Sequence, residues 1–143
     1  MKSNKTRYHV HVIRIIGFIL VLLTLTGCKT ETTSTEKIRD LEFTVLSKDE
    51  LPKELMEQIE SKKEEPFKFT YSDREYLYIV TGYGEQATGG YDIQVEELYL
   101  TSNAIYCDTA LLGPKKDEEV QKVSSYPYIV LKTEFIDLRV VFD

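Results

Sequence analysis

Two thiols, two imidazoles, three carboxylate clusters and one glycine-rich loop are the groups through which this chain of 143 residues could do chemistry. Both imidazoles, His9 and His11, lie upstream of Cys28, and Cys28 to Asp143 contains none. That stretch therefore cannot assemble a Ser-His-Asp or Cys-His nucleophile, nor the imidazole ligand sets of most catalytic zinc sites. The carboxylate clusters are Asp49-Glu50, Glu96-Glu97 and Asp117-Glu118-Glu119. Glycosidase chemistry needs two carboxyl groups converging on one bond. Glu96 and Glu97 are neighbours on an expected strand, where adjacent side chains point to opposite faces. The others fall in loops or at a helix start, and no calcium-loop pattern is present, so all three read as surface solvation. The loop Gly82 to Gly90 lacks the Gly-Lys-Ser/Thr of a phosphate-binding loop and leads into a strand pattern instead of a helix. It reads as a connection using positive φ and close backbone approach, or as an adaptable loop at one end of a sheet.

The two thiols differ in context. Cys28 closes an export-signal pattern: a basic, acid-free stretch (Lys2, Lys5, Arg7, Arg14), an apolar run from Ile15 to Leu25, then Thr26-Gly27. The run is shorter than the ~20 apolar residues a membrane-spanning helix needs. Cys107 lies in Ile105-Tyr106-Cys107-Asp108, in phase with Ile105 and Thr109 on an expected strand. It reads as a small buried side chain, not a reactive thiol.

Leu25-Thr26-Gly27-Cys28 resembles the lipobox of bacterial lipoproteins. The resemblance implies cleavage before Cys28, diacylation of that residue and display outside the cytoplasmic membrane. The Lys- and Tyr-rich usage points to a low-GC Gram-positive cell. The organisation expected is a signal peptide over 1–27, a lipidated Cys and flexible tether over 28–40, and one β-rich domain over 41–143. Cleavage would leave 116 residues, the size of one domain. It removes four of 18 basic side chains and none of 24 acidic ones, so the mature charge is −10. Such a surface repels phosphate backbones, which excludes nucleic acid as a partner. It also repels anionic headgroups, so the lipid on Cys28 must hold the membrane, and durable anchoring takes more than one acyl chain. No metal or cofactor is expected.

The elements that would position these groups can be read from periodicity. Leu41 to Val45 alternates apolar and polar and reads as a half-buried strand. Pro52 suits a first helical turn, and Leu55, Met56 and Ile59 recur at helical spacing, so one helix is expected over Pro52–Lys63. After Pro66 the period becomes two. Strands are expected through Phe67, Phe69 and Tyr71, over Glu75–Thr81, from Tyr91 through Val95, over Ala104–Leu112, over Tyr126–Phe135 and over Leu138–Phe142. Ser72-Asp73-Arg74 and Thr101-Ser102-Asn103 have turn chemistry. The fold class is α+β, mainly antiparallel, a sandwich or partly open barrel of about seven short strands with one helix. Ten Tyr and six Phe imply an aromatic-rich core.

Thr88-Gly89-Gly90-Tyr91-Asp92-Ile93-Gln94-Val95 and Ser125-Tyr126-Pro127-Tyr128-Ile129-Val130, with Asn103-Ala104-Ile105 and Gly113-Pro114 between them, resemble the PrcB C-terminal domain family over roughly Ala87 to Lys132. The family's namesake is a lipoprotein subunit that binds and stabilises a surface protease. The resemblance implies a non-catalytic surface module with a protease or another extracytoplasmic protein as partner. The same residues resemble, more faintly, the loop pair of chagasin-type cysteine-protease inhibitors, Thr-Thr-Gly-Tyr and Arg-Pro-Trp at one end of a β-sandwich. Here Gly89 stands for the second Thr, and Tyr126 and Tyr128 stand for Arg and Trp. Either likeness makes Tyr83, Thr88, Gly89, Gly90, Tyr91, Tyr126, Pro127 and Tyr128 the candidate partner-binding residues. Tyr supplies large amphipathic area at little rotamer cost, and Gly loops adapt to a partner. Tyr91 and Tyr128 read first as core or cross-strand packing residues, whereas Tyr83, inside the glycine loop, is expected to be exposed. An inhibitor further requires the two loops to lie side by side and exposed at one end.

Overall fold

In the computed structural model, residues 32–117 and 119–143 are described. Cys28 and the expected signal peptide over 1–27 lie outside them. Thr33 to Asp143 is one compact unit. The alternating Phe67 to Tyr71 run forms β3 (Pro66–Ser72), which returns as β4 (Tyr76–Tyr83). Asp73 holds the turn between them. Its carboxylate accepts the N–H groups of Glu75 (2.8 Å) and Tyr76 (2.7 Å) and the hydroxyl of Tyr78 (2.9 Å). The two backbone donors, first among these, hold its pKa below the usual value. A second hairpin joins β5 (Asp92–Leu100) to β6 (Ile105–Leu112). The Thr101 hydroxyl staples its turn, donating to the Ala104 carbonyl (3.0 Å) and accepting the Ala104 N–H (3.1 Å).

β7 (Tyr128–Glu134) pairs with β4 on one side and with β2 (Thr44–Val45) on the other. β1 (Arg39–Asp40) pairs with the end of β5, and β8 (Val140–Phe142) runs parallel to β6. The two sheets are β1-β5-β6-β8 and β2-β7-β4-β3. The expected α+β sandwich with one helix is what forms, with eight strands among the described residues and one parallel pair.

Period-two geometry sorts the side chains of β4 and β7 into two layers. Leu77, Ile79, Ile129 and Leu131 pack with Leu98, Ile105 and Cys107 between the sheets. Tyr78, Val80 and Val130 face away, against Leu55 and Ile59 of helix α1 (Lys53–Lys62). Those two helical residues are four apart, on one face, and both are fully buried. The expected aromatic-rich core is found in one of the two layers. The layer between the sheets is mostly aliphatic, while Phe67, Phe69, Tyr71, Tyr78 and Tyr128 gather under the helix. A short helix with two buried side chains cannot cover a sheet face by itself, and large rings fill the remainder.

Leu41–Val45 is not a single strand. The chain passes from one sheet to the other there, with β1 on β5 and β2 on β7. Leu41 is buried at the crossing, whereas Phe43 and Val45 stay exposed. An alternating pattern does not distinguish a strand from a corner that switches sheets.

Cys107 is buried as expected, and burial pushes its thiol up to about 11. Burial, then the hydrogen bond to Asp73, pushes the Tyr78 phenol up to about 12. Both groups keep their protons in the folded chain at pH values where the unfolded chain releases them. Their contribution is intact below about pH 9 and is lost as pH rises through the folded values. Urea midpoints should be level up to about pH 9 and fall above it. A midpoint that stays level or rises towards pH 11 would contradict this.

Candidate functional site

At one end of the sandwich, the loop after β4 meets the segment that leads into β7. Gln86 and Ser125 exchange both backbone hydrogen bonds, at 2.8 and 3.0 Å. The Gly89 N–H donates to the Gln121 carbonyl (3.0 Å), and the Ser125 hydroxyl donates to the Thr88 carbonyl (2.6 Å). The Tyr83 N–H reaches the Pro127 carbonyl (3.0 Å), and the Gln86 side-chain amide returns to the Tyr83 carbonyl (3.0 Å). The glycine loop is thus laced to its neighbour along most of its length. The two candidate segments lie side by side, which meets the adjacency that a two-loop binding surface requires.

The glycines divide by role. Gly84 and Gly90 have positive φ, 71° and 82°. A Cβ at Gly84 would stand 2.9 Å from the Pro66 ring, and one at Gly90 would stand 2.6 Å from Val120 Cγ1. Gly89 has room, its nearest neighbours being about 3.9 Å away on Gln121. Gly90→Ala is therefore expected to destabilise the domain by about 1–2 kcal/mol, the cost of a left-handed non-glycine backbone. Gly89→Ala should stay within about 0.5 kcal/mol. Urea unfolding of the pair checks this, and equal stabilities would contradict it.

Tyr83 departs from its expected exposure. It is half-buried, and its hydroxyl donates across the sandwich to the Thr109 carbonyl (2.6 Å) and lies 2.9 Å from Thr109 Oγ1. β4 continues two residues into the glycine loop, so Tyr83 becomes a tie between the sheets at this end. Tyr91 is half-buried, and its ring edge lies 3.6 Å from where a Cβ at Gly113 would be. Tyr128 is half-buried under the helix, and burial raises its phenol pKa. Tyr126 is half-buried, with the Lys63 ammonium 5.2 Å from its ring centroid. A hydrogen bond to Glu60 (2.7 Å) holds Lys63 there and raises its pKa. Thr88, Gly89 and Pro127 are half-buried and Gly90 is exposed. The surface this end offers is therefore Gly89, Gly90 and the outer edges of Tyr91, Tyr126, Pro127 and Tyr128. Gln86, Gln121, Val120 and Ser125 complete the loop pair. Nothing local marks that pairing, since Thr88 and Ser125 are 37 residues apart.

In the three carboxylate clusters, Asp49, Glu50, Glu96, Glu97, Asp117 and Glu119 are all exposed. The ladder shifts register between Val95 and Glu97, so strict alternation does not apply at Glu96. Glu96 and Glu97 are nevertheless both exposed. An open groove of about 750 Å³ brings Asp40, Glu42, Glu50 and Glu134 to one region. Asp40 is paired with Lys37 and Glu134 with Arg39. Glu50 accepts the hydroxyl and N–H of Ser47, which pull its pKa down, opposite to what a general acid needs. Among the described residues no three His, Cys, Asp or Glu side chains form a metal-holding group.

Fold and site together define a small two-sheet β-sandwich, with a helix on one outer face and a glycine- and tyrosine-lined end. Residues 77–134 match the model of the PrcB C-terminal family, which bears out the resemblance read from the sequence. The matched span runs from β4 through β7. It holds the central pairs of both sheets, β4 with β7 and β5 with β6, and the whole loop pair. β1, β2, α1, β3 and β8 lie outside it and clothe that frame. No curated protein sequence and no solved structure matched the chain.

Proposed function

We propose that this protein is a non-catalytic accessory module, held outside the cytoplasmic membrane by lipid on Cys28, that binds an extracytoplasmic protease through the loop-pair end of its sandwich. The family match supports this reading, because it spans the frame that builds that end, and the family's namesake is a subunit that binds a surface protease. The absence of histidine from Cys28 onward supports binding over hydrolysis, as do the pairing of Asp40 and Glu134 with cations and the lowered pKa of Glu50 in the groove they share. The adjacency of the two loops also favours a second reading, inhibition of a protease by a chagasin-like loop pair. Against it, the positions of that family's second Thr, Arg and Trp hold Gly89, Tyr126 and Tyr128.

The test is crosslinking in intact cells, recovery of the tagged chain and identification of its neighbours by mass spectrometry. A Gly89→Glu, Tyr126→Ala variant serves as control, since a Cβ at Gly89 would meet only ordinary contacts with Gln121 and the half-buried Tyr126 keeps an edge at the surface. Recovery of a protease with the native chain, and its loss with the variant, is expected. Identical neighbours for both would refute the site. An assay of the recovered protease then separates the two readings: a stabiliser prolongs its activity, and an inhibitor lowers its turnover.

A further inference from the structure

The first sheet ends in an incompletely covered strand. β1 pairs with β5 only at Tyr99 and Leu100, and the Leu41 N–H extends the contact to the Leu98 carbonyl (3.0 Å). From Asp92 to Glu97, no strand among the described residues lies on the outer side of β5. That is about 20 Å of open edge at ~3.3 Å per residue. Near its start, the Ile93 N–H donates to the Asp92 carboxylate (2.9 Å). Beside the edge runs an open groove of about 450 Å³ between the sheets, lined by Val45, Tyr91, Ile93, Val95, Tyr128 and Ile129 among others. The exposed side chains of the same stretch are Asp92, Gln94, Glu96 and Glu97, three carboxylates, with the charge of Lys37 reaching Glu97 alone among them.

A free edge is a template for another strand. We infer that β5 receives an extended segment of the partner protein by strand addition, and that this segment alternates apolar side chains with Lys or Arg. The apolar side chains of an added strand would fall over the groove, and its cations would lie beside Asp92, Glu96 and Glu97. The charges disfavour a second copy of this chain as occupant. Antiparallel self-pairing would bring acidic edges together, and like charges opposite one another destabilise a sheet. The inference rests on the proposed binding function and deepens it, because Tyr91 and Tyr128 belong to both the loop-pair end and the groove.

The probe is an amide-capped peptide of about eight residues alternating Lys with Val, long enough for the open edge. It is titrated into the full chain in neutral detergent. Two companions carry Glu in place of Lys, or N-methyl groups on alternate backbone amides. The Lys peptide should bind saturably and slow amide exchange over residues 92–97. Each companion should bind about tenfold or more weakly, through charge in one case and lost backbone hydrogen bonds in the other. A chain carrying Asp92→Lys, Glu96→Lys and Glu97→Lys, all at exposed positions, should prefer the Glu peptide. Equal binding of all three peptides, or unchanged exchange over residues 92–97, would overturn strand addition. If the peptides fail while a protease still maps to Gly89 and Tyr126, the inference falls and the binding function stands. If the peptides dock as expected but no protein partner is recovered, the edge site stands and the proposed function falls.

Discussion

Leu131→Ala is expected to lower the stability of the domain by about 2–5 kcal/mol. Leu131 is fully buried on β7 and packs between the sheets with Leu41, Ile79, Leu98, Ile105 and Cys107. Truncation removes its transfer free energy and leaves a cavity that paired strands on both sides cannot close, since β7 is held by β2 and β4. Against a total of about 5–15 kcal/mol, this is a large fraction. Leu112→Ala is the control, because Leu112 is 42% exposed at the end of β6. It should cost about 0.5 kcal/mol or less. Urea unfolding of both variants decides the matter. A cost below about 1 kcal/mol for Leu131→Ala would mean that the β4-to-β7 frame is not the stabilising core.

On the proposed anchoring, Cys28→Ala should abolish incorporation of labelled palmitate, because acylation of this residue requires the thiol. The effect is all-or-none. Two chains hold a protein at a membrane, each buried methylene contributing about 0.8 kcal/mol. Residues 28–143, with a formal charge of −10, add no attraction to anionic lipid. Native chain labelled and variant unlabelled is the expected pair. Equal labelling of the two, or no label on either, would contradict lipidation at Cys28.

Much of the fold was legible because local signals agreed with global ones. Phe67, Phe69 and Tyr71 alternate and do form one face of β3. Asp73 and Thr101 stand at turns and hold them with their own side chains. The helix runs over Lys53–Lys62, with Pro52 just before it, within a residue of its expected ends. Cys107, in phase with Ile105, is buried beside it. What stayed hidden depends on partners distant in sequence. Leu41 to Val45 alternates like a strand, yet Leu41 alone finds a buried place because the chain turns from one sheet to the other. Tyr83 looked like a loop residue, and only the opposite sheet supplies the Thr109 carbonyl that draws it inward. The aromatic residues were countable, but which layer they fill depends on where a ten-residue helix lands.

The candidate site was legible in membership more than in geometry. Glycine and tyrosine marked the two segments, and the structure brings them together through Gln86 and Ser125. Whether a glycine is required or merely present could not be read from the sequence. Gly90 is fixed by positive φ and by Val120, while a Cβ at Gly89 beside it would meet only ordinary contacts with Gln121.

On the proposed function a protease contacts this end, and hydrogen exchange on the full chain, with and without the protease recovered by crosslinking, measures that directly. Slowed exchange over residues 84–91 and 119–128, with helix α1 and β8 unchanged, is the predicted result. Slowed exchange confined to α1 or β8, with the loop pair unaffected, would contradict the assignment of this end as the binding surface.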